Sequence, residues 1–352
     1  MIKTAHFGQL PNGQAVEQIS LINRKGMQID ILNLGGIIRR WLVPTSAASP
    51  TDIVLGFDSL EDYLADQAYL GALVGRYANR IKHGQFSLDN KAYQVDVNQG
   101  GNCLHGGSDG FNRRVWHTSV INEGLNPSIR LQLISEDADQ GFPGQLNAEV
   151  IYTLTEENSL RIEYKATTDH LTLYNPTQHS YFNLAGHQSG NINHHHVQMF
   201  ASYFTPTDAN AIPTGELLAV DNTPFDLRKM TPVMQGLASE HEQIKIGNGY
   251  DHNWCLDGFN TGAAQPTLAA IAIDETAGLT LKVFTTMPGM QLYTANYLGP
   301  EPKGKEGIAY QGNGALCFET QFYPDSPNQS HFPSAQLAPG QRFYSVTEYQ
   351  LS

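Results

Sequence analysis

Asn175-Pro176-Thr177-Gln178-His179-Ser180-Tyr181-Phe182-Asn183-Leu184 and, much later in the chain, Ala315-Leu316-Cys317-Phe318-Glu319-Thr320-Gln321-Phe322 read as half-buried strands. In both, apolar and polar residues alternate with the period of two that a sheet imposes. The first places Ser180, Phe182 and Leu184 on one face and His179, Tyr181 and Asn183 on the other. The second places Leu316, Phe318 and Phe322 on one face, with Cys317, Glu319 and Gln321 opposite. A carboxylate inside so apolar a strand is costly to bury, so Glu319 needs a polar partner or a chemical task. A histidine and a glutamate held on two rigid strands make a usable acid–base pair.

Strand and turn signals surround these segments on both sides. Gln85 to Val97 reads as a hairpin about an Asp89-Asn90 turn, and Val150 to Thr167 as another about Glu156-Glu157-Asn158-Ser159. Leu279–Phe284 and Gln291–Asn296 flank a Pro288-Gly289 turn, and Pro339-Gly340 introduces a last strand, Arg342 to Leu351. Helical signals are few. Ser59 is an N-cap for Leu60–Leu64 with Asp62 three residues later, and Gly236 to Lys245 reads as a second short helix. There is no βαβ alternation, linker or repeat. The expected fold is all-β: one large sandwich over residues 1–352.

Composition agrees with that class and excludes others. Charged residues are 16% of the 352, while Gly (33), Pro (18), Tyr (16) and Phe (15) are plentiful, which suits strands joined by tight turns and not coiled coil or disorder. A formal net charge of -13 argues against nucleic acid or an anionic membrane as partner. The basic pairs Arg39-Arg40 and Arg113-Arg114 read as solvated faces. Three widely spaced cysteines, Cys103, Cys255 and Cys317, suggest neither a disulfide framework nor a zinc cluster. No apolar run approaches the ~18 residues of a membrane span. Met1–Gly8 lacks the apolar core of a signal peptide, so the expected location is the cytoplasm. Asn328-Gln329-Ser330 would accept a glycan only in a secreted chain.

Several chemistries can be set aside. There is no G-x-S-x-G and no G-x-G-x-x-G. Gly299-Pro300-Glu301-Pro302-Lys303-Gly304-Lys305-Glu306 approaches a phosphate loop, but Glu306 replaces the magnesium-binding hydroxyl and two prolines remove backbone donors, so an exposed loop is expected. His194-His195-His196 sits among Asn191, Asn193 and Gln198 without a carboxylate or cysteine at ligand spacing, and reads as a polar surface turn rather than a metal site.

Three further segments carry chemistry. Gln99-Gly-Gly-Asn-Cys-Leu-His105-Gly-Gly107 lets backbone pass close to a ligand and projects His105, although an ordinary turn histidine fits as well. Gly75-Arg-Tyr-Ala-Asn79-Arg80-Ile81 puts Asn79 and Arg80 on opposite faces of a regular strand, so a shared site requires a bulge or strand end there. Gly249-Tyr-Asp251-His-Asn-Trp254 combines an acid, an imidazole and an amide with two aromatic rings, which suits a sugar, and a polar turn beside a core tryptophan is its alternative.

Taken together, Gly75–Arg80, Leu104–Gly107, His179–Gly186, Tyr250–Asn253, Gly289–Thr294 and Cys317–Gln321 resemble the motifs of the galactose mutarotase (aldose 1-epimerase) family, in family order and across most of the chain. Cys103 and Arg113-Arg114 depart from the family's commonest wording, at the rim. The resemblance implies a galactose-mutarotase-like β-sandwich (a supersandwich) with an open sugar cleft, no cofactor or metal, a free aldohexose as substrate and no obligate protein partner. It implies His179 as general acid and Glu319 as general base, with Arg80, His105, Asp251 and Gln291 holding the sugar and Asn79 and Tyr181 as further contacts. Reference pKa values near 6.5 for His and 4.3 for Glu put a proton donor and an ionised acceptor within reach of neutral pH. A hexose-6-phosphate mutarotase, a glycosidase using Asp251 and Glu319, and a non-catalytic sugar-binding module are the rival readings.

Overall fold

The computed structural model describes residues 1–45 and 49–352. Three antiparallel sheets carry the architecture. An N-terminal meander runs through Ile2–Gln9, Ala15–Ile22, Gln28–Leu32, Ile38–Val43 and Thr51–Asp52. A nine-stranded sheet is ordered His117–Asn122, Ser128–Ser135, Leu146–Leu154, Ser159–Thr168, Phe343–Leu351, Leu279–Thr285, Thr267–Asp274, His195–Met199 and Thr231–Pro232. The third, the site sheet, is ordered Leu218–Ala219, Ala201–Thr205, Asp251–Leu256, Gly289–Tyr293 and Cys317–Gln321. One hydrophobic cluster draws on all three, from Ile19 through Leu131 and Trp254 to Leu351. The chain is thus an all-β sandwich.

Local chemistry explains the elements. The hairpin joining Leu146–Leu154 to Ser159–Thr168 closes with Asn158 in the left-handed region (φ 62°), a conformation Asn tolerates. Helix Leu60–Ala65 begins at Ser59, whose hydroxyl accepts from the Asp62 N–H. Among the described residues only two other α-helices occur, Val233–Leu237 and Glu242–Gly247. The single helix expected over Gly236–Lys245 is therefore two. His241 starts the second one by accepting the Gln243 N–H on its Nδ1.

The two opening segments meet in the core. Phe182 and Phe318 pack with Trp41 and Tyr349, with ring centroids 5.3 to 6.5 Å apart. Each ring so buried contributes about 1.5–3 kcal/mol. The second segment forms the strand Cys317–Gln321 at the edge of the site sheet. The first is a strand only at Thr177–Gln178. Beyond it the chain holds single bridges, Phe182 pairing with both Val54 and Leu316. Neither segment is half-buried, because every residue from Tyr174 to Leu184 and from Gly314 to Gln321 is buried. The alternation separates a core face from a face that is buried but polar.

Leu279–Thr285 and Gly289–Tyr293 belong to different sheets, so the turn expected at Pro288-Gly289 carries the chain between layers. Three other expectations are corrected by packing. Arg39 is buried, donating to Phe57 O and Asp58, and Arg113 donates to the carbonyls of Leu64 and Asp66. Lys305 is 1% exposed, and its ammonium donates to Asp52 (2.6 Å) and to the carbonyls of Arg39 and Val54. His195 is buried beside Asp274 (3.3 Å) and accepts the Leu184 N–H on Nε2.

Candidate active site

His179 is fixed by its own backbone. Its N–H donates to Ala72 O and its carbonyl accepts from Gly71, which ties it to the loop that follows the first helix. The imidazole stacks between Tyr181 (5.0 Å) and Tyr69 (6.1 Å). Glu319 projects from mid-strand, opposite Gln291 on the neighbouring strand. Although 140 residues separate the two in sequence, His179 Nε2 lies 3.5 Å from Glu319 Oε1.

His105 completes a cluster. One donor atom from each of His105, His179 and Glu319 lies within 4.8 Å of the others. The loop carrying His105 runs hard against Gly75, where a Cβ on Gly106 would stand 2.1 Å from the Gly75 carbonyl, so Gly106 must be glycine. His105 Nδ1 accepts the Asn79 N–H at 3.2 Å. Nδ1 is therefore unprotonated, and Nε2 carries the proton as a donor. Two imidazoles and a carboxylate could in principle hold a divalent ion, but a ligating His105 Nε2 would have to shed that proton with no place for it on Nδ1. The donor set suits hydroxyl recognition better than metal.

The conflict over Asn79 and Arg80 is resolved by backbone. Asn79 takes a left-handed conformation (φ 62°) and accepts the Arg80 N–H on its own Oδ1, and the strand starts only at Arg80. Both side chains consequently reach the same cleft. Arg80 donates from Nε to Gln99 Oε1 (3.0 Å), and its guanidinium lies 3.9 Å from Asp251. Asp251 accepts from Gln291 Nε2 at 2.7 Å.

A cavity of about 470 Å³ is lined by Asn79, Arg80, His105, His179, Tyr181, Asp251 and Glu319. Seven of the eight expected residues thus share one wall system. Gln291 does not line the cavity, and reaches it through Asp251. Tyr181 contributes its ring, since its hydroxyl is given to Ala68 O. Tyr69, Gln99, Tyr293 and Tyr297 also line the cleft, and sequence reasoning did not single them out. Tyr69 sits at positive φ (58°) in a loop shaped by the Asp66 carboxylate, which accepts the N–H groups of Ala68 and Leu70. No periodicity marks such a position. Gln99 stood in the glycine-rich segment, and its distance from His105 in sequence hid their common wall.

Burial sets the protonation of the pair. Desolvation, reinforced by the charge of Asp251, holds the Glu319 carboxyl well above the usual carboxylate range. Desolvation also lowers His179 to about 4. His105 falls well below its ordinary value through burial and the nearby His179 and Arg80. Burial therefore opposes the charged form of both groups, the carboxylate of Glu319 and the imidazolium of His179. This differs from the imidazolium and carboxylate that reference values suggest.

A family model described as Aldose 1-epimerase matches residues 17–350. The chain is 40% identical over 351 residues to galactose mutarotase of Bos taurus, covering 100% of this chain and 98% of that one. It is 38% identical over 344 residues to aldose 1-epimerase of Escherichia coli (strain K12), covering 97% and 96%. Among solved structures, galactose 1-epimerase from Lactobacillus acidophilus NCFM superposes with a TM-score of 0.87 at 28% identity, covering 100% of this chain and 98% of that one. An aldose epimerase homologue from C. elegans gives 0.86 at 30%, covering 96% and 99%.

Proposed function

The chain belongs to the aldose 1-epimerase family and is an aldose 1-epimerase, and from that premise we propose that His179 and Glu319 interconvert the α and β anomers of free hexoses such as galactose and glucose. The observation that carries this reading is the 3.5 Å separation of the two groups on the wall of a sugar-sized cleft.

The reaction needs one proton moved on and one moved off. Glu319 takes the proton of the C1 hydroxyl while His179 gives a proton to the ring oxygen, so the C1–O bond of the ring breaks and an open aldehyde forms. Rotation about C1–C2 presents the other face, and the reverse transfers close the ring. The pair as a whole keeps one mobile proton. Glu319–COOH with neutral His179 and Glu319–COO⁻ with His179 imidazolium carry the same total charge. Desolvation favours the first. A bound sugar favours the second, because its anomeric hydroxyl donates to the carboxylate and its ring oxygen accepts from the imidazolium. His105, fixed as an Nε2–H donor, Asn79, Arg80 and Asp251 grip the remaining hydroxyls, and Gln291 steadies Asp251. Tyr181 and Tyr69 offer ring faces to the sugar's C–H surface.

A 6-phosphate fits poorly. Arg80, the arginine that lines the cleft, is engaged by Gln99 and Asp251, and the cleft also carries the carboxyl groups of Asp251 and Glu319, which oppose an added anion. The whole chain is taken as one unit, since a single hydrophobic cluster runs from Ile19 to Leu351. A cytoplasmic setting is supported by three buried cysteines, all free. Among the described residues no helix is long and apolar enough to cross a membrane.

The test is polarimetry of freshly dissolved α-galactose. Glu319→Gln and His179→Asn should each lower kcat by about a hundred- to ten-thousandfold with the fold intact. Near-normal mutarotation by either variant would remove the assignment.

A further inference from the structure

The polar face of the site sheet continues past the cleft wall. Asn253, Gln291 and Glu319 stand opposite one another on three consecutive strands, so their side chains form one row on one face. Gln321 lies two residues beyond Glu319 on that face and stands opposite Gly289. Gly289 leaves its place in the second row empty, and Asn253 occupies it. A Cβ there would lie 2.3 Å from Asn253 Oδ1 and 2.9 Å from the Tyr323 ring.

All four polar side chains are buried, none more than 2% exposed. Yet Asn253 Oδ1 and Nδ2, Gln291 Oε1, Glu319 Oε2, and Gln321 Oε1 and Nε2 make no hydrogen bond to protein. Buried amides are ordinarily paired, and a patch of six unpaired polar atoms is the surrounding that ordered water needs. Asn253, Gln291 and Gln321 do not line the cleft, so this polar patch lies behind its wall and meets it through Glu319 and through the Gln291–Asp251 hydrogen bond.

We propose that Asn253, Gln291 and Gln321 hold ordered water against Glu319 Oε2, and that Asn253 and Gln321 are positioning residues which govern how readily Glu319 gives up its proton. The inference rests on the reading of Glu319 as the base. Gln291 has committed its Nε2 to Asp251, so its free atom is an acceptor, and an ionised Glu319 Oε2 is another. Two acceptors side by side need a donor between them. Water supplies it, oriented in turn by the amide groups of Asn253 and Gln321. Hydrogen bonds donated to Oε2 favour the carboxylate and oppose the desolvation that keeps the proton in place. The pocket thus lets a buried glutamate ionise when the sugar arrives.

The experiment is Gln321→Leu, which keeps volume and removes the amide, measured by polarimetry across pH. The expected result is a kcat lower by about ten- to a hundredfold, the factor one hydrogen bond to a charge carries, with little change in KM. The alkaline limb of kcat/KM should also move up by about one pH unit. A merely structural role would lower kcat without moving that limb. Gln321→Leu combined with Glu319→Gln should lose no more than Glu319→Gln alone. If Glu319→Gln is nearly normal, the base reading falls and this inference with it. If Glu319→Gln is inactive while Gln321→Leu keeps both kcat and the limb, only the water pocket falls. A high-resolution crystal structure of the unaltered enzyme decides the matter even if the variant does not fold. Water bridging Glu319 Oε2 to one of the three amides supports the proposal, and a dry pocket or a direct amide–carboxylate bond overturns it.

Discussion

His179 Nε2 stands 3.5 Å from Glu319 Oε1, and both side chains are almost wholly withdrawn from solvent. Two ionisable groups this close titrate as a pair, and the states of the pair matter more than either group's reference value. Burial sends His179 down to about 4 and Glu319 well above the carboxylate range. Burial accordingly opposes the charged form of each group, and ring opening calls for one proton between them.

Activity should follow that inventory. A second proton enters only near pH 4, where His179 titrates. The kcat/KM profile is therefore expected to stay flat through pH 6.5 and to fall on the acid side near pH 4, with the solvent rate subtracted at each point. An acid or alkaline limb centred at 6.5, where an unperturbed imidazole titrates, would mean that burial does not control the pair.

Removing the carboxylate should trade activity for stability. The unfolded chain releases the Glu319 proton at a pKa of about 4.3, while the fold retains it to higher pH. Between those values the unfolded state binds fewer protons, so stability drops as pH rises, by up to ~1.4 kcal/mol per pH unit. Glu319→Gln has no proton to lose. Relative to the unaltered protein it should gain stability between pH 4 and pH 7 in urea melts, while mutarotation collapses. A variant no better at pH 7 than at pH 4 would show that Glu319 ionises freely in the fold.

The buried ion pair of Lys305 and Asp52 gives an asymmetric prediction. Loop residues Leu298, Gly299, Glu301 and Pro302 line the cleft, and Lys305 anchors the segment that follows them to the strand Thr51–Asp52. Asp52→Ala leaves an ammonium 1% exposed with only carbonyl partners, and breaking a buried pair this way costs about 3–5 kcal/mol. Lys305→Met removes the charge and fills the space with an apolar chain, and Asp52 still accepts the Trp41 N–H. Chemical denaturation should find Asp52→Ala markedly the weaker of the two. Equal losses would mean that the ammonium finds water once its partner is gone.

What the sequence disclosed follows from where the information resides. The face assignments in both opening segments hold, because a strand's period of two is imposed by the backbone and Phe182 and Phe318 had to turn inward together. Asn79 on the cleft wall and Gly106 next to His105 were legible as oddities, and both occupy backbone conformations that few residues accept. Tertiary partners were not legible. Arg39, Lys305 and His195 look like surface residues until Asp58, Asp52 and Asp274 arrive from distant segments to satisfy them. The same holds for Tyr69, whose place in the cleft depends on a loop turn made by Asp66.

His252 ties the acid limit of the fold to the site. It is fully buried, and burial lowers its pKa to about 3. Its Nδ1 accepts the Asp251 N–H, and its Nε2 bonds to Gln243 Oε1, an atom that also accepts the Thr207 N–H. The neutral Nε2–H form meets both demands, and a proton on Nδ1 would face a backbone donor. In the unfolded chain the ring takes its proton near pH 6.5, so below that value the unfolded state binds more protons and the fold loses stability as pH falls towards 3. His252→Gln keeps a donor for Gln243 Oε1 without the titration. The stability lost between pH 6.5 and pH 4.5 in urea melts should therefore be smaller in the variant by about 2–3 kcal/mol, whatever its stability at pH 7. An unchanged difference between the two pH values would show that His252 is protonated inside the fold, and the Asp251 N–H would then need another acceptor.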